Sequence, residues 1–500
     1  MTAAPRLVVT LTARRLDTAR GELTAVQRAG ADLAEIRLDR WPEADRRRVR
    51  ELLPSPLPLL LTLRSRPEGG EGPDDPEERR EQLRQVGGPS EAALDFEAAR
   101  DILPSEAGGE SRTAVWVSTH LPSPANRSDL ERELRRPVPH GAVRKIVVGA
   151  SLGLGLEEIF ARAEAAARVG ITLLTTGPAG PLQRAWGRRL GLPYVFASPP
   201  EPRPTDARWR VEPAQLPVDR LRRFYSADPS APIFAVVGRP AYLSWSPWIH
   251  HRWMEREGRT GLYLALEPES DLELHRLLPR LAEGGFRGLN VTAPFKETVL
   301  RFAHQRAPTA EAVGSANTLT FEGSTVRADN TDLGAVQQRL TELKESGVWG
   351  GEELVVAGTG GAARAAVVAG RDLGAGVAIW GRRASMEEKL AREFGVERWN
   401  STRGRPSSLV IHATPVGRGS SGGSLPIGEM LAPSGHLLDF VYAPTDRSLQ
   451  EIALARRASY ESGLRLLLYQ AAASYRIWWG APLSHEIVES TYREAALCEA

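Results

Sequence analysis

Apolar runs recur along the first 226 residues, with room for a helix between each pair. Eight of them read as strands: residues 7–12, 33–38, 57–63, 92–96, 114–118, 143–148, 171–176 and 194–197. Amphipathic stretches, for example 128–134 and 156–167, lie between them. Eight strands alternating with helices is the count of a closed (β/α)8 TIM barrel, and about 225 residues is near its lower size limit. Periodicity alone also fits an open doubly wound sheet. A breaker-rich segment, Ser226-Ala227-Asp228-Pro229-Ser230-Ala231-Pro232, then ends this part, and an apolar strand at 233–237 starts a new one.

Polar residues interrupt the apolar pattern at positions where they carry chemistry. In a barrel the reacting groups sit at the C-terminal strand ends. The second strand carries Glu35 and Arg37 in Glu35-Ile36-Arg37-Leu38-Asp39, the third ends in Arg64 and is followed by Glu68-Gly69-Gly70, the fifth ends in His120, and the sixth contains Lys145. A lysine facing a barrel interior is costly unless paired or neutral. Desolvation favours the free amine, which can attack a ketone to form a Schiff base. Read alone, Lys145 is equally a snorkelling lysine at a strand start. The charged segment 68–84 reads as a solvated face, with a lid as the alternative.

In the second part, Leu289-Asn290-Val291-Thr292-Ala293-Pro294-Phe295-Lys296 reads as a short buried strand running into a turn. Asn290 and Thr292 leave one strand face. Lys296 follows the strand end, where it can donate to a substrate oxygen or, read alone, sit on the surface. A second polar segment, Ala328-Asp329-Asn330-Thr331-Asp332-Leu333-Gly334, offers the carboxylate of Asp332 as its partner, and Gly314-Ser315-Ala316-Asn317-Thr318 lies between them. Ser244 and Ser246, before Pro247, can present two hydroxyls to one carboxylate, or simply form a turn. Leu354-Val355-Val356-Ala357-Gly358-Thr359-Gly360-Gly361-Ala362 is a strand, a glycine-rich turn and a helix start, suited to a pyrophosphate. About 20 residues on, Arg382 and then Arg383 stand where a carboxylate would favour NAD; arginines favour the 2′-phosphate of NADP.

The first constellation resembles type I 3-dehydroquinate dehydratase: Glu35-x-Arg37-x-Asp39, Thr62-x-Arg64, Leu94-Asp95-Phe96-Glu97, His120 and Lys145. The resemblance implies that Lys145 forms the imine and His120 is the general acid–base. It makes Arg184 the clamp for a substrate carboxylate, and Gln215 part of a loop over the site. Departures are Leu121-Pro122 after His120, Val211 for a serine and Ala214 for a glycine in that loop.

The second part resembles shikimate dehydrogenase over roughly 250 residues, in the family order of motifs. Departures are Leu243 for a histidine, Ser315 for a smaller residue, Leu333 before Gly334, Gly381-Arg382-Arg383 for Asn-Arg-Thr, and His412 for asparagine in His412-Ala413-Thr414-Pro415-Val416-Gly417. Asp439-Phe440-Val441-Tyr442-Ala443-Pro444, Gly463 and Gln470 complete the run. The resemblance implies Lys296 and Asp332 as the catalytic pair. Ser244, Ser246, Asn290, Thr292, Asn317, Tyr442 and Gln470 would hold substrate. Gly358, Gly360, Gly361, Ala362, Arg382, Arg383, Thr414 and Gly463 would hold NADP(H).

Together the two resemblances imply a bifunctional enzyme of the shikimate pathway, fusing a TIM barrel to an α/β substrate lobe and a Rossmann NADP lobe. The expected divisions are 1–226, 232–335, 336–463 and a helical 464–500 that returns to the substrate lobe. The barrel would convert 3-dehydroquinate to 3-dehydroshikimate, and the rest would reduce that product to shikimate. Two other readings fit: one half binds without turnover, motivated by the altered loop at 211–215, or the second half is an NAD-dependent quinate-type oxidoreductase.

Composition adds constraints rather than chemistry. Five hundred residues exceed one core, so two or three domains are expected. A net charge of +2 gives no electrostatic case for nucleic acid. One cysteine, Cys498, excludes an intrachain disulfide framework and fits a reducing compartment. With no stretch of transmembrane length and no signal-peptide pattern, a cytoplasmic protein off the membrane is expected. The nine histidines do not pair with carboxylates at ligand spacing, so no metal is expected. Assembly is left open, a homodimer included.

Overall fold

A computed structural model describes residues 3–86, 92–101, 114–122, 126–206, 211–400, 405–417 and 425–499. Contacts divide the chain into two compact units, residues 1–233 with 260–277, and 234–259 with 278–500.

In the first unit eight strands form one parallel sheet: β1 (Arg6–Thr10), β2 (Leu33–Arg37), β3 (Leu59–Thr62), β4 (Ala92–Glu97), β5 (Val115–His120), β6 (Val143–Gly149), β7 (Ile171–Thr176) and β8 (Tyr194–Ala197). Their order is β7-β6-β5-β4-β3-β2-β1-β8, so the first strand also pairs with the last and the sheet wraps into a nearly closed barrel. The open-sheet alternative is thereby set aside. Helices such as Leu16–Arg28 and Leu156–Ala167 bury one apolar stripe each, with Leu16, Ala19, Leu23 and Val26 inward on the former. The strand interiors are the core, with Val8, Val9, Ala34, Ile36 and Leu60 fully enclosed.

The segment 260–277 contains β10 (Leu262–Leu266). The second unit holds β9 (Ile233–Val237), β11 (Phe286–Val291), β12 (Gln305–Arg306), β13 (Thr318–Glu322) and β14 (Thr325–Asp329) in the spatial order β9-β11-β13-β14-β12. A hairpin joins the two antiparallel strands β13 and β14. A separate parallel sheet comprises β15 (Glu353–Ala357), β16 (Gly376–Trp380), β17 (Glu397–Arg398), β18 (Ser407–His412), β19 (Leu431–Asp439) and β20 (Ser459–Glu461), ordered β17-β16-β15-β18-β19-β20. Strand order reverses between β15 and β18, the crevice where doubly wound sheets take ligands. Helix Thr331–Glu345 starts on the Asn330 cap, whose side chain accepts from Leu333 N–H at 3.0 Å. Leu333 and Gly334 therefore continue a helix rather than form a turn after Asp332, and Leu333 is buried in the core.

Candidate active sites

In the barrel, β6 carries Lys145 inward, 3% exposed. Its Nζ lies 3.2 Å from Asp95 Oδ2, 3.8 Å from Glu35 Oε1 and 4.7 Å from the centre of the Phe196 ring. Two carboxylates thus meet the cost of burying the ammonium. Glu35 is itself held by the hydroxyls of Thr10 at 2.6 Å and Thr62 at 2.9 Å. Burial pushes the Asp95 carboxyl up, but the charges of Lys145 and Arg64 outweigh this and hold it below its ordinary range.

Arg64 is enclosed by acids. It donates to Asp95, to Glu68 at 2.9 Å and to Glu97 at 3.2 Å, and to the Ser118 hydroxyl at 2.9 Å. Arg37 instead forks onto Asp39 with two bonds of 2.8 Å. His120, at the end of β5, has its Nδ1 2.9 Å from Glu68 Oε2, and its backbone N–H donates to the same oxygen at 3.2 Å. Burial, with the cations Arg64 and Lys145 nearby, holds the imidazole well below its ordinary pKa. A neutral ring beside a lysine is a base suited to an α-proton.

Glu68 follows the third strand in the sequence but carries no site role there, because the charged segment 68–84 reads as a solvated face. Its side chain is only 6% exposed. The chain folds back after β3: Gly70 N–H donates to Ser65 O at 2.8 Å and Gly72 N–H to Arg64 O at 2.9 Å. A Cβ at Gly70 would lie 2.1 Å from Arg64 O, and Gly69 takes a left-handed φ of 83°. The glycine pair is the signal that could have revealed the tight return. Burial pushes the Glu68 carboxyl up to about 7, with Glu97 and Asp95 adding to it and Arg64 opposing. Further along, the helix Pro76–Val86 keeps most of its charged residues exposed but buries Arg79, Leu83 and Val86, with Arg79 on Asp101 at 2.7 Å.

Arg184 lies in the short helix Gly180–Ala185 with its guanidinium on carbonyls: Phe196 O at 2.9 Å, Thr175 O at 2.9 Å and Gly180 O at 3.0 Å. It makes no ion pair among the described residues. Burial pulls it down to about 10. A buried cation short of an anion is fitted to a ligand carboxylate. Gln215 donates to Thr10 Oγ1 at 3.0 Å, and its buried Oε1 accepts from nothing among the described residues. Val211 and Ala214 belong to the described chain, while 207–210 lie outside it.

The second unit encloses a cavity of about 750 Å3. Every residue the sequence assigned to this half lines it, on both the substrate and the cofactor side. Lys296 Nζ donates to Asp332 Oδ2 at 2.6 Å. Asn317 Nδ2 donates to Asp332 Oδ1 at 2.8 Å, to Thr331 Oγ1 at 2.9 Å and to Gln470 Oε1 at 3.3 Å. One carboxamide therefore ties β13, the helix after β14 and the helix Leu464–Trp479 to the Lys296–Asp332 pair. Asn290 points at Asn317 O and Thr318 Oγ1, at 3.5 and 3.4 Å. Ser246 opens the helix Ser246–Arg256, and its N–H donates to Ser244 Oγ at 3.2 Å. Tyr442 lies against Trp245, with ring centres 5.5 Å apart. Thr292 presses on Gly238, where a Cβ would come within 2.1 Å of its methyl. Ser315, the departure from the smaller family residue, accepts from Asn330 Nδ2 at its carbonyl, 2.8 Å away.

The cofactor side is built for close approach. After β15, Gly358 has φ 143°, and a Cβ there would lie 2.6 Å from Ala413 O. A Cβ on Gly361 would lie 2.9 Å from Lys296 Cβ, whereas Gly360 faces open space. Helix Gly361–Asp372 starts here, with Ala362 in its first turn, and directs its N-terminal N–H groups into the cavity rim. Gly463 passes Phe440 O so closely that a Cβ would be 2.3 Å away. Arg382 and Arg383 are exposed just past β16. These features fit a dinucleotide with a phosphorylated ribose.

Comparison with known proteins agrees with this geometry. The chain is 34% identical over 275 residues to the shikimate dehydrogenase (NADP(+)) of Acidiphilium cryptum, covering 53% of this chain and 96% of the relative. The chain belongs to the shikimate dehydrogenase family. The enzyme of the same name from Roseobacter denitrificans is 33% identical over 260 residues, 50% of this chain and 92% of its own. The family model for the shikimate dehydrogenase substrate binding domain matches residues 236–319. The model for type I 3-dehydroquinase matches 7–231, so a dehydroquinase domain precedes the shikimate dehydrogenase. The solved dehydroquinate dehydratase and shikimate dehydrogenase from S. pombe aligns over 99% of both chains, at 21% identity and a TM-score of 0.43. Among the described residues no helix is long and apolar enough to cross a membrane.

Proposed function

We propose that this chain performs two consecutive steps of the shikimate pathway: dehydration of 3-dehydroquinate, then NADPH-dependent reduction of 3-dehydroshikimate to shikimate. The observation that carries the reading is the pairing of two complete constellations in one chain, Lys145 with His120 and Glu68, and Lys296 with Asp332 beside a glycine-rich turn.

In the barrel, Lys145 passes a proton to the carboxylates that flank it and its free amine adds to the substrate ketone; the proton returns as water leaves, giving an imine. His120 takes the α-proton; the electron pair moves into the imine, which acts as the sink. The β-hydroxyl then departs with a proton returned by His120, and water hydrolyses the imine to release product and free Lys145. Glu68 holds the imidazole in the tautomer that leaves Nε2 as base. Glu35, Arg37 and Arg64 order the ring hydroxyls, while Arg184 and Gln215 hold the carboxylate end. Reducing the enzyme–substrate mixture with borohydride should fix the substrate mass on Lys145.

In the second unit NADPH, when bound, supplies the hydride. Lys296, kept oriented by Asp332, delivers the proton to the oxygen that gains charge. Ser244 and Ser246 take the substrate carboxylate; Asn290, Thr292, Asn317, Tyr442 and Gln470 take its hydroxyls. Gly358, Gly360, Gly361 and Ala362 would hold the pyrophosphate, Thr414 and Gly463 would border the nicotinamide, and Arg382 with Arg383 would bind the 2′-phosphate. The division at 226–232 and the lobes at 232–335, 336–463 and 464–500 follow from this reading. So does a cytoplasmic site of action, where NADPH is made. A homodimer would be registered by light scattering as twice the chain mass.

The test is one cuvette with protein, 3-dehydroquinate and NADPH, followed at the nicotinamide absorbance. NADPH oxidation is expected. Silence with dehydroquinate but activity with dehydroshikimate would refute the barrel assignment. Silence with both would refute the second. A strong preference for NADH would overturn the role given to Arg382 and Arg383.

A further inference from the structure

β18 and β19 run parallel, and their last residues, His412 and Asp439, stand opposite each other in register. Both side chains are buried, 0% and 1% exposed. His412 Nδ1 is 2.7 Å from Asp439 Oδ1. That same oxygen accepts from Val441 N–H at 2.8 Å, and Oδ2 accepts from the Tyr460 hydroxyl at 3.0 Å. An ionised carboxylate only accepts, so the proton between His412 and Asp439 belongs to Nδ1. In the neutral ring Nε2 is then an acceptor. It lies 2.5 Å from Thr414 Oγ1, and in this neutral tautomer the threonine hydroxyl donates to it. Thr414 Oγ1 also accepts from Val416 N–H at 3.2 Å. One lone pair of the hydroxyl is left, and Thr414 lines the cavity.

The position of that lone pair is constrained from both sides. Ala413, the preceding residue, lies against Gly358 of the phosphate turn, and Gly361 of the same turn lies against Lys296. A cofactor with its pyrophosphate on the turn must bring its nicotinamide riboside between Lys296 and Thr414 to reach the proton donor. We propose that His412, fixed by Asp439, is a positioning residue that turns the Thr414 hydroxyl away from the cavity. Thr414 then presents a pure acceptor there, for a hydrogen-bond donor of the nicotinamide riboside: the carboxamide N–H2 or a ribose hydroxyl. This rests on the NADP reading above. The motif that the segment resembles has asparagine at position 412. An asparagine can still donate to Asp439 but is too short to receive the Thr414 hydroxyl as well.

The test is equilibrium binding by calorimetry, on the full chain, with three probes. NADP+ carries the whole riboside, its 3-acetylpyridine analogue lacks the amide N–H2, and adenosine 2′,5′-bisphosphate lacks the riboside altogether. The variants are His412→Asn, Thr414→Val and Thr414→Ser. Expected is a loss of NADP+ affinity of about tenfold for His412→Asn and Thr414→Val, the worth of one hydrogen bond. Affinity for the bisphosphate should be unchanged, and Thr414→Ser should bind like the wild type. If the two weakened variants bind the acetylpyridine analogue as the wild type does, the partner is the amide; if they lose the same factor on it, the partner is the ribose. Equal losses on the bisphosphate, or undiminished NADP+ binding by His412→Asn, would overturn the inference. Wild-type protein that binds the bisphosphate and NADP+ equally well would overturn it too, whereas wild-type protein that binds neither would overturn the cofactor reading beneath it.

Discussion

Replacing Glu68 by Gln removes one charge from a carboxylate that holds His120 at two points. The oxygen Oε2 accepts from the His120 backbone at 3.2 Å, faces Nδ1 at 2.9 Å and takes Arg64 at 2.9 Å. Arg64 keeps Asp95 and Glu97, so the fold should tolerate the change. What is lost is a charge-assisted anchor on the imidazole. A hydrogen bond to a charged group is worth about 1.5–3 kcal/mol. If that is lost wholly in the transition state, kcat of dehydration falls roughly 10- to 150-fold. The assay is the growth of ultraviolet absorbance from the conjugated enone product at saturating dehydroquinate. A pH arm sharpens it. Glu68 sits at about 7, so wild-type activity should decline as pH falls through 7 and the carboxylate takes up a proton. Glu68→Gln should lack that limb. Stability should move the other way: the folded pKa lies above the ordinary 4.5, the folded state holds the proton more tightly between the two, and stability falls as pH rises from about 4.5 to 7. An activity within twofold of wild type, with the limb retained, would refute the anchoring argument.

Asp332→Asn should lower kcat of dehydroshikimate reduction by about 10²- to 10⁴-fold, the span of general acid–base catalysis, with dehydratase activity untouched; NADPH oxidation measures it, and wild-type rates would exclude Asp332 from the proton path. Arg382→Ala with Arg383→Ala should raise KM for NADPH by roughly 10- to 150-fold and leave that for NADH unchanged, as expected for losing a charge-assisted contact to phosphate; parallel rises for both cofactors would contradict it. His250, buried among Trp253, Tyr475 and Trp478, is pushed by burial down to about 3, so the unfolded chain takes up a proton that the folded one refuses. Urea midpoints should therefore fall as pH drops from about 6.5 towards 3, and His250→Gln should flatten that slope.

The contact of Lys296 with Asp332 was legible because both lie in short local patterns. Asn290, Thr292 and Lys296 share one strand and its turn, and Asp332 follows an asparagine that caps a helix. The strand pattern of the barrel was equally local: 171–176 and 194–197 are the bounds observed, and the others differ at their ends, where capping and pairing decide. Glu68 was not legible, since a charge-rich stretch looks solvated until the fold-back at Gly69-Gly70 brings it beneath His120. The His412–Asp439 contact was hidden for a different reason. It joins residues 27 positions apart through the register of two strands, which no local pattern records. Arg184 came from the resemblance as a carboxylate clamp; its burial and its carbonyl cage were not legible, because they depend on where β7 and β8 end.

The carboxamide of Asn317 reaches Gln470, 153 residues further along the chain. During synthesis the dehydratase residues, all before 216, leave the ribosome well ahead of Gln470. At about 5–20 residues per second the lag is roughly 13–50 s. On the proposed reading, a nascent chain holds every group needed to make dehydroshikimate before it holds the last contact of the site that consumes it.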